Sequence, residues 1–303
     1  MNKQELTNLV AELLSQMNGT QPQVKSSDYK TVVYNDDRPA QQAEAGSFVE
    51  DVTALDLRKL YLVDSPADEK AFRRLKERTP ARLGSGRAGP RYKTLTMLRF
   101  RADHAAAQDA VFSLLPDDFG EKNGLVSVQT RCKDKDEYLT RPDMGRVFDE
   151  ENANKIRAAI SGTPTVQLVI GDGLSSAAIE ANAMDCARAI ADGLKVRGIS
   201  LGKGIFVKYC RVGAGDAVGD ITGCDLVCVL VGERPGLVTD KSMSAYITYK
   251  PHTGVSESSR TVVSNIHAQG TPAVEAGAYV AELIDTILKK KVSGVGLHTE
   301  GSA

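Results

Sequence analysis

The sequence predicts an α/β protein: a mostly parallel sheet flanked by helices, preceded by a helical extension and a flexible tail. From residue 119 to residue 303, short runs rich in Val, Ile and Leu alternate with helical patterns. Near-continuous apolar strands between helices are typical of parallel sheets that are covered on both faces. Of the 303 residues, 42% are hydrophobic, which is enough for a sizeable core.

Residues 1–46 form the predicted tail, an amphipathic helix over residues 1–18 followed by a tether. Apolar side chains recur there at helical spacing, at Leu6, Leu9, Val10, Leu13, Leu14 and Met17. The tether, residues 19–46, is rich in Gln, Ser, Asp, Pro and Ala and buries too little apolar surface to order itself. A helix on a tether favours a docking or targeting peptide. The alternative is a terminal helix packed on its own domain.

Residues 47–118 form the predicted helical extension, which carries many charges, as in ADEKAFRRLKERTPARL. A glycine-rich basic stretch over residues 84–91 interrupts it. That stretch could hold an anion or an acidic partner surface, or it could be a solvated loop. A second helix is predicted over residues 97–115, ending before Pro116.

Five strands and two helices are predicted after residue 119. The strands cover residues 124–130, 165–173, 204–212, 226–236 and 244–250, and the helices cover about 175–195 and 273–290. In such folds, ligands bind at the carboxyl ends of the strands. Three of these ends carry glycine together with polar or charged residues, at 171–174, 211–213 and 232–236. Glycine alone could serve tight turns, but charges at all three ends favour a binding face.

Composition argues against several classes of protein. The formal net charge of −1 gives no electrostatic footprint for nucleic acid, and no apolar run approaches the roughly 18 residues of a membrane helix. The five cysteines lack CxxC spacing, which favours buried thiols in a reducing cytoplasm and predicts no metal site. The amino terminus lacks the apolar core of a secretory signal.

Nucleotide and hydrolase motifs are incomplete or missing. GAGDAVG, at 213–219, has one residue too many for the dinucleotide fingerprint, and GISLGKG, at 198–204, fails the Walker spacing. Neither GxSxG nor HExxH occurs. SNIHAQGTP, at 264–272, nearly reproduces the Asp-x-His-x-x-Gly signature of proteins that offer a histidine to the cobalt of cobalamin. Asn265 replaces the carboxylate that would orient His267, which favours a loop histidine before a helix.

Six motifs together resemble the small (light) subunit of ethanolamine ammonia-lyase. They are GRAGPR (86–91), LRFRADHA (98–105), YLTRPDMGR (138–146), VIGDGLSS (169–176), VGERPGL (231–237) and SNIHAQGTPAVEA (264–276). They follow the order of that family and span the chain from about residue 82 to the last helix. The first 50 residues carry much less of the resemblance.

The resemblance implies an adenosylcobalamin-dependent lyase that converts ethanolamine to acetaldehyde and ammonia by a radical mechanism. In this family a large TIM-barrel subunit holds the substrate, and the small subunit covers the lower face of the corrin with a Rossmann-like domain. The resemblance therefore implies no catalytic acid or base on this chain, since the cofactor supplies the hard chemistry. It also implies that dimethylbenzimidazole stays on cobalt, so that His267 is not an axial ligand.

Three corrin contacts carry over from the resemblance, at Val212, Glu233 and Val262. Val212 follows the Tyr-x-Arg strand end, and Glu233 belongs to Gly-Glu-Arg-Pro-Gly. A relative has Cys where this chain has Val262, so the third contact survives only if it uses the backbone or an apolar surface. A carboxylate aimed at a corrin amide N–H makes a charge-assisted hydrogen bond.

Two other functions stay open at this point. One is a non-enzymatic adaptor with a degenerate nucleotide-binding fold, and the other is an NAD-dependent oxidoreductase, which the broken glycine pattern disfavours. The resemblance itself implies a cytoplasmic protein of a bacterial microcompartment, whose shell or cargo would bind residues 1–18 as an encapsulation peptide.

Deletion of residues 1–19 tests the targeting hypothesis. We expect the truncated enzyme to keep its turnover and to leave the compartment, because the tether separates the helix from the folded domains. Cell fractionation and an acetaldehyde assay measure the two outcomes. Loss of activity would show that the helix is structural.

Overall fold

The computed structural model describes residues 51–79 and 81–299. The helix predicted over residues 1–18 and the tether over 19–46 lie outside the described residues. Before the main sheet come a 3₁₀ turn, two helices and a small hairpin: Val52–Ala54, helix α1 (Glu69–Glu77), strands β1 (Arg87–Ala88) and β2 (Arg91–Tyr92), and helix α2 (Thr94–Phe112). Asp68 begins α1, since its carboxylate accepts a hydrogen bond from the N–H of Ala71 at 2.8 Å.

Two local predictions in this part need correction. Helix α2 spans Thr94–Phe112 and not 97–115, because Ser113 takes an extended conformation ahead of Pro116. The glycine-rich stretch 84–91 contains the β1–β2 hairpin. Gly86 has a φ of +73°, and a Cβ there would lie 2.3 Å from the carbonyl oxygen of Leu62. Glycine is therefore required for the chain to pass this point.

A six-stranded sheet forms the main domain, in the order β3-β5-β4-β6-β7-β8. Its strands are β3 (Val126–Gln129), β4 (Val166–Asp172), β5 (Ile205–Lys208), β6 (Leu226–Gly232), β7 (Met243–Tyr249) and β8 (Arg260–Ile266). The first four strands in the spatial order are parallel, and β7 pairs antiparallel with both β6 and β8. The predicted α/β fold with a mostly parallel sheet is confirmed.

Seven further helices precede, connect or follow the strands of this sheet in the described residues. They are α3 (Phe119–Lys122), α4 (Lys135–Thr140), α5 (Glu150–Ala159), α6 (Ser176–Val196), α7 (Ala214–Thr222), α8 (Ala273–Lys290) and α9 (Gly296–Thr299). Helix α6 lies within one residue of its prediction at each end, and α8 matches its prediction. In the described residues, no helix is both long and apolar enough to cross a membrane.

Different helices pack on the two faces of the sheet. One face packs under α6 and α8, with a core that contains Ile170, Ile190, Leu230, Ile247 and Ile284. The opposite face packs under α5 and α7, with a second cluster that contains Ile156, Val169, Val207, Val218 and Val229. Strands β4 and β6 are buried along their whole length because helices lie on both sides of them.

One end of β8 stays open on the second face. Arg260 is buried beneath α7, whereas Val262, two residues further along the same face, is 45% exposed. Ser264, the next residue on that side, is also exposed. The uncovered part of β7 and β8 is called the open face below, and it consists of the half-buried Tyr246 and the exposed Val262 and Ser264.

A buried ion pair fixes β8 against α7. The guanidinium of Arg260 donates to both carboxylate oxygens of Asp216 at 2.8 Å, and it also donates to Thr248 Oγ1 at 3.2 Å. The side chains of the ion pair are only 4% and 8% exposed. Arg260 also pairs with Glu257 at 2.7 Å, but the Glu257 side chain is 67% exposed.

Substitution of Asp216→Asn should destabilise the fold by about 3 kcal/mol, because the buried Arg260 charge would lose its ionic partner. Glu257→Gln is the matched control and should cost less than about 1 kcal/mol, since its carboxylate is largely in water. Urea unfolding of the purified variants measures both values. Equal effects would contradict the assignment of Asp216 as the principal partner.

Candidate functional site

The carboxyl ends of β4, β5 and β6 meet at one edge of the sheet. Cys210, after β5, donates its N–H to the carbonyl of Asp172 at the end of β4 at 2.8 Å. Gly173 packs between the neighbouring strand ends, because a Cβ there would lie 2.8 Å from the Cys210 carbonyl oxygen and 3.0 Å from Val231 Cγ2. The three predicted strand ends are thus brought together, and glycine at 173 permits the close approach.

Glu233, the first residue after β6, is held against β7 and β8. Its backbone N–H donates to the carbonyl of Ser242 at 2.8 Å. Its carboxylate oxygen Oε1 accepts hydrogen bonds from Ser244 Oγ at 2.7 Å and from the N–H of Asn265 at 2.8 Å. Both bonds go to Oε1, and the nearby Ser242 hydroxyl also lowers the pKa of this carboxyl. Neither Ser244 nor Asn265 was predicted as a site residue.

The surroundings of Glu233 keep it ionised. Burial raises the pKa of the Glu233 carboxyl, whereas the hydrogen bonds from Asn265 and Ser244 lower it. The lowering is the larger effect, so the pKa lies below the ordinary value of 4.5. The carboxylate contributes stability above pH 4.5, and this contribution is lost as the pH falls through the lowered pKa. At neutral pH Glu233 is an anion that can only accept hydrogen bonds.

Val262 shares a face with Glu233. It pairs with Tyr246 in the antiparallel register of β7 and β8. Ser244 and Tyr246 are two residues apart on β7, so their side chains point to the same side of the sheet. Because Ser244 binds the Glu233 carboxylate, Glu233 lies on the side of the sheet that carries the open face.

Val212 lies on the same side of the sheet at the end of β5. It is half-buried and packs against the apolar cluster under α5 and α7, which includes Val231. Its carbonyl accepts the N–H of Gly215 at 3.0 Å in the first turn of α7. The three residues carried over from the resemblance therefore lie on one side of the sheet, with Val212 and Glu233 just beyond strand ends and Val262 within β8.

Comparison with known proteins identifies the family. The sequence model described as "Ethanolamine ammonia-lyase light chain" matches residues 69–298. The chain is also 55% identical over 297 residues to an ethanolamine ammonia-lyase small subunit of Clostridium perfringens. It is 54% identical over 300 residues to one of Clostridioides difficile and 52% identical over 299 residues to one of Listeria innocua. Each alignment covers 98% of this chain and 100% of the relative.

The chain belongs to the ethanolamine ammonia-lyase light chain family. This confirms the resemblance and the prediction that the chain is one subunit of an ammonia-lyase. It also favours the lyase over the adaptor and the oxidoreductase. The structure also argues against a nucleotide-binding motif at GAGDAVG. This segment forms the end of the loop after β5 and most of α7, and its Asp216 binds Arg260.

The side chains of Arg211 and Tyr138 fix the chain segment after β5 that leads to Val212. Arg211 donates from Nη2 to the carbonyl of Tyr138 at 2.7 Å, and its guanidinium lies 4.2 Å from the centre of the Tyr138 ring. The Tyr138 hydroxyl donates to the carbonyl of Cys210 at 3.1 Å. Burial raises the pKa of Tyr138, so its hydroxyl stays protonated. These contacts hold the chain rigidly on both sides of Arg211.

Two buried polar atoms near the strand ends make no hydrogen bond within the described residues. They are the Ser242 hydroxyl oxygen and the Arg211 Nε. Ser242 faces the same side as Ser244 and is next to Glu233 through the backbone bond described above. Ser242 lies close enough to the Glu233 carboxylate to lower its pKa, so that carboxylate is the nearest partner for the buried Ser242 hydroxyl.

The other sequence candidates have separate positions. His252 is exposed, with its Nδ1 at 2.9 Å from the carbonyl oxygen of Lys250. His267 is 9% exposed and lies beside Asn265 at the end of β8. The five cysteines are buried and unpaired, at 132, 186, 210, 224 and 228. Over residues 51–79 and 81–299, no group of three His, Cys, Asp or Glu side chains is placed to hold a metal ion.

Proposed function

We propose that this chain is the small subunit of an adenosylcobalamin-dependent ethanolamine ammonia-lyase and covers the lower face of the corrin at the interface with the large subunit. The observation that carries the proposal is the Glu233 carboxylate. One of its oxygens is fixed by two hydrogen bonds, and the carboxylate lies on the side of the sheet where Val262 is exposed.

The residues of the open face fit a corrin. A corrin has a broad apolar ring with amide groups on its rim, so it needs both an apolar platform and hydrogen-bond acceptors. Val262 and Tyr246 supply apolar surface, and Glu233 Oε2 can accept from an amide N–H. Val212 completes the apolar contact from the end of β5.

These contacts indicate which tasks belong to the cofactor and which belong to this chain. Adenosylcobalamin, when bound, supplies the radical chemistry that removes ammonia from ethanolamine. The residues of this chain bind and orient the corrin rim and exclude water from one side of it. Because the cofactor would supply the radical chemistry, we assign no catalytic acid or base to this chain.

The large TIM-barrel subunit is the proposed partner, and we assign residues 47–118 to its interface. Exposed apolar side chains on α2 support this assignment, since Leu95 is 37% exposed, Leu98 43% and Phe112 59%. Exposed apolar residues that share a helix side are typical of protein interfaces. We divide the chain into residues 1–46 for targeting, 47–118 for the large subunit and 119–303 for a Rossmann-like cobalamin-covering domain.

We further propose that the enzyme resides in a bacterial microcompartment within the cytoplasm. The support is the helical spacing of the apolar residues in 1–18, which lie outside the described residues. The truncation experiment above tests this part of the proposal independently of cofactor binding.

Glu233→Ala should weaken the binding of adenosylcobalamin to the assembled enzyme by roughly 1.5 to 3 kcal/mol, the range for a hydrogen bond to a charged group. Titration of the two-subunit complex with adenosylcobalamin in the absence of ethanolamine measures this loss. Glu180→Ala is the matched control, because Glu180 is an exposed carboxylate on α6, on the other side of the sheet. Unchanged affinity of the Glu233 variant would remove Glu233 from the cofactor site.

A further inference from the structure

The hydrogen bond from Asn265 to Glu233 depends on an unusual backbone conformation. Asn265 has a φ of +63°, in the left-handed region. Its N–H points at Glu233 Oε1 in that conformation. Asn tolerates the left-handed region better than most residues, yet it still has to be held there by its surroundings.

His267 holds the Asn265 side chain. Its Nε2 lies 2.8 Å from Asn265 Oδ1, and its Nδ1 lies 3.3 Å from the backbone nitrogen of Gln269. A backbone N–H can only donate, so Nδ1 is the acceptor and the ring proton lies on Nε2. Nε2–H therefore donates to Asn265 Oδ1. Both ring nitrogens of His267 are engaged within the chain.

The loop after β8 closes around Asn265. The carbonyl of Asn265 accepts the N–H of Thr271 at 2.9 Å, and the N–H of His267 donates to the Thr271 carbonyl at 3.1 Å. Gly270 packs directly on Asn265, since a Cβ at 270 would lie 2.3 Å from the Asn265 carbonyl oxygen. Asn265, His267 and Gly270 thus have linked roles, which explains the Asn-x-His-x-x-Gly spacing without an axial histidine.

We propose that His267 is a positioning residue for the cofactor-binding carboxylate: it fixes Asn265 so that the Asn265 N–H holds Glu233 Oε1 and directs Oε2 toward the cofactor. The chain of contacts runs from Gln269 through His267 and Asn265 to Glu233. This inference rests on the proposed function, since it deepens the role of Glu233 at that site. It assigns His267 a role that requires no contact with the cobalt.

The test is a set of His267 variants in the assembled two-subunit enzyme, titrated with adenosylcobalamin in the absence of ethanolamine. His267→Leu removes the donor and should weaken binding about three- to tenfold, as expected for one net hydrogen bond. His267→Gln is the matched control, because its amide N–H can replace Nε2–H, and it should stay within about twofold of wild type.

A double-mutant cycle with Glu233→Ala separates positioning from a general structural role. If His267 acts through Glu233, His267→Leu has no further effect on affinity in the Glu233→Ala background. An effect of equal size in both backgrounds, or an unchanged affinity for His267→Leu while Glu233→Ala weakens binding, would overturn the inference. An unchanged affinity for Glu233→Ala alone would instead overturn the proposed cofactor site.

A second pair of variants covers the case in which His267→Leu fails to assemble. Asn265→Ala disfavours the left-handed backbone, whereas Asn265→Gly permits it. We expect Asn265→Ala to bind adenosylcobalamin more weakly than Asn265→Gly, and this difference should disappear when Glu233 is Ala. Equal affinities of the two Asn265 variants in the wild-type background would contradict the inference.

Discussion

The change from parallel to antiparallel pairing at β6 determines how this site is built. After β4 and β5 the chain continues into a helix, but after β6 it turns back on itself and runs along β6 as β7. The turn brings Glu233 against Ser242 and Ser244, on the strand that immediately follows. A parallel continuation would have carried the chain away and left this carboxylate without those partners.

The same change leaves part of the sheet uncovered. Strands β7 and β8 widen the sheet, and α7 reaches β8 at Arg260 through the ion pair with Asp216. Beyond Arg260 the second face is open at Val262 and Ser264. A large flat ligand needs such a surface, with apolar groups at its centre and polar groups at its edge. The topology therefore provides both the carboxylate and the platform beside it.

Much of the fold could be predicted from the sequence, because strands and helices that are largely buried show a strong apolar pattern. Strand β6 reads as an apolar run that ends at Gly232, and α8 shows a clear helical period between Pro272 and the lysines at its end. Strand β8 was not predicted. Its sequence, RTVVSNI, is only half covered, so polar residues occupy positions that a buried strand would fill with apolar ones.

The candidate site was predictable only in part. Strand ends with glycine and charge pointed to Glu233, but its partners come from β7 and from β8, 11 and 32 residues further along the chain. No local pattern reports such distant hydrogen bonds. Helix α7 was also missed, since its two glycines, Gly215 and Gly219, resemble a turn until their packing against Val229 and Pro251 is seen. The ligand assignments at Val212, Glu233 and Val262 stay predictions.

A cryo-electron microscopy structure of the two-subunit enzyme with adenosylcobalamin bound would test the central claim most directly. We expect the corrin to lie over Val262 and Tyr246, with a peripheral amide nitrogen about 2.7–3.2 Å from Glu233 Oε2. Oε1 should keep its bonds to Ser244 and Asn265. A large-subunit segment packed over the open face, with the corrin against another part of this chain, would contradict the account.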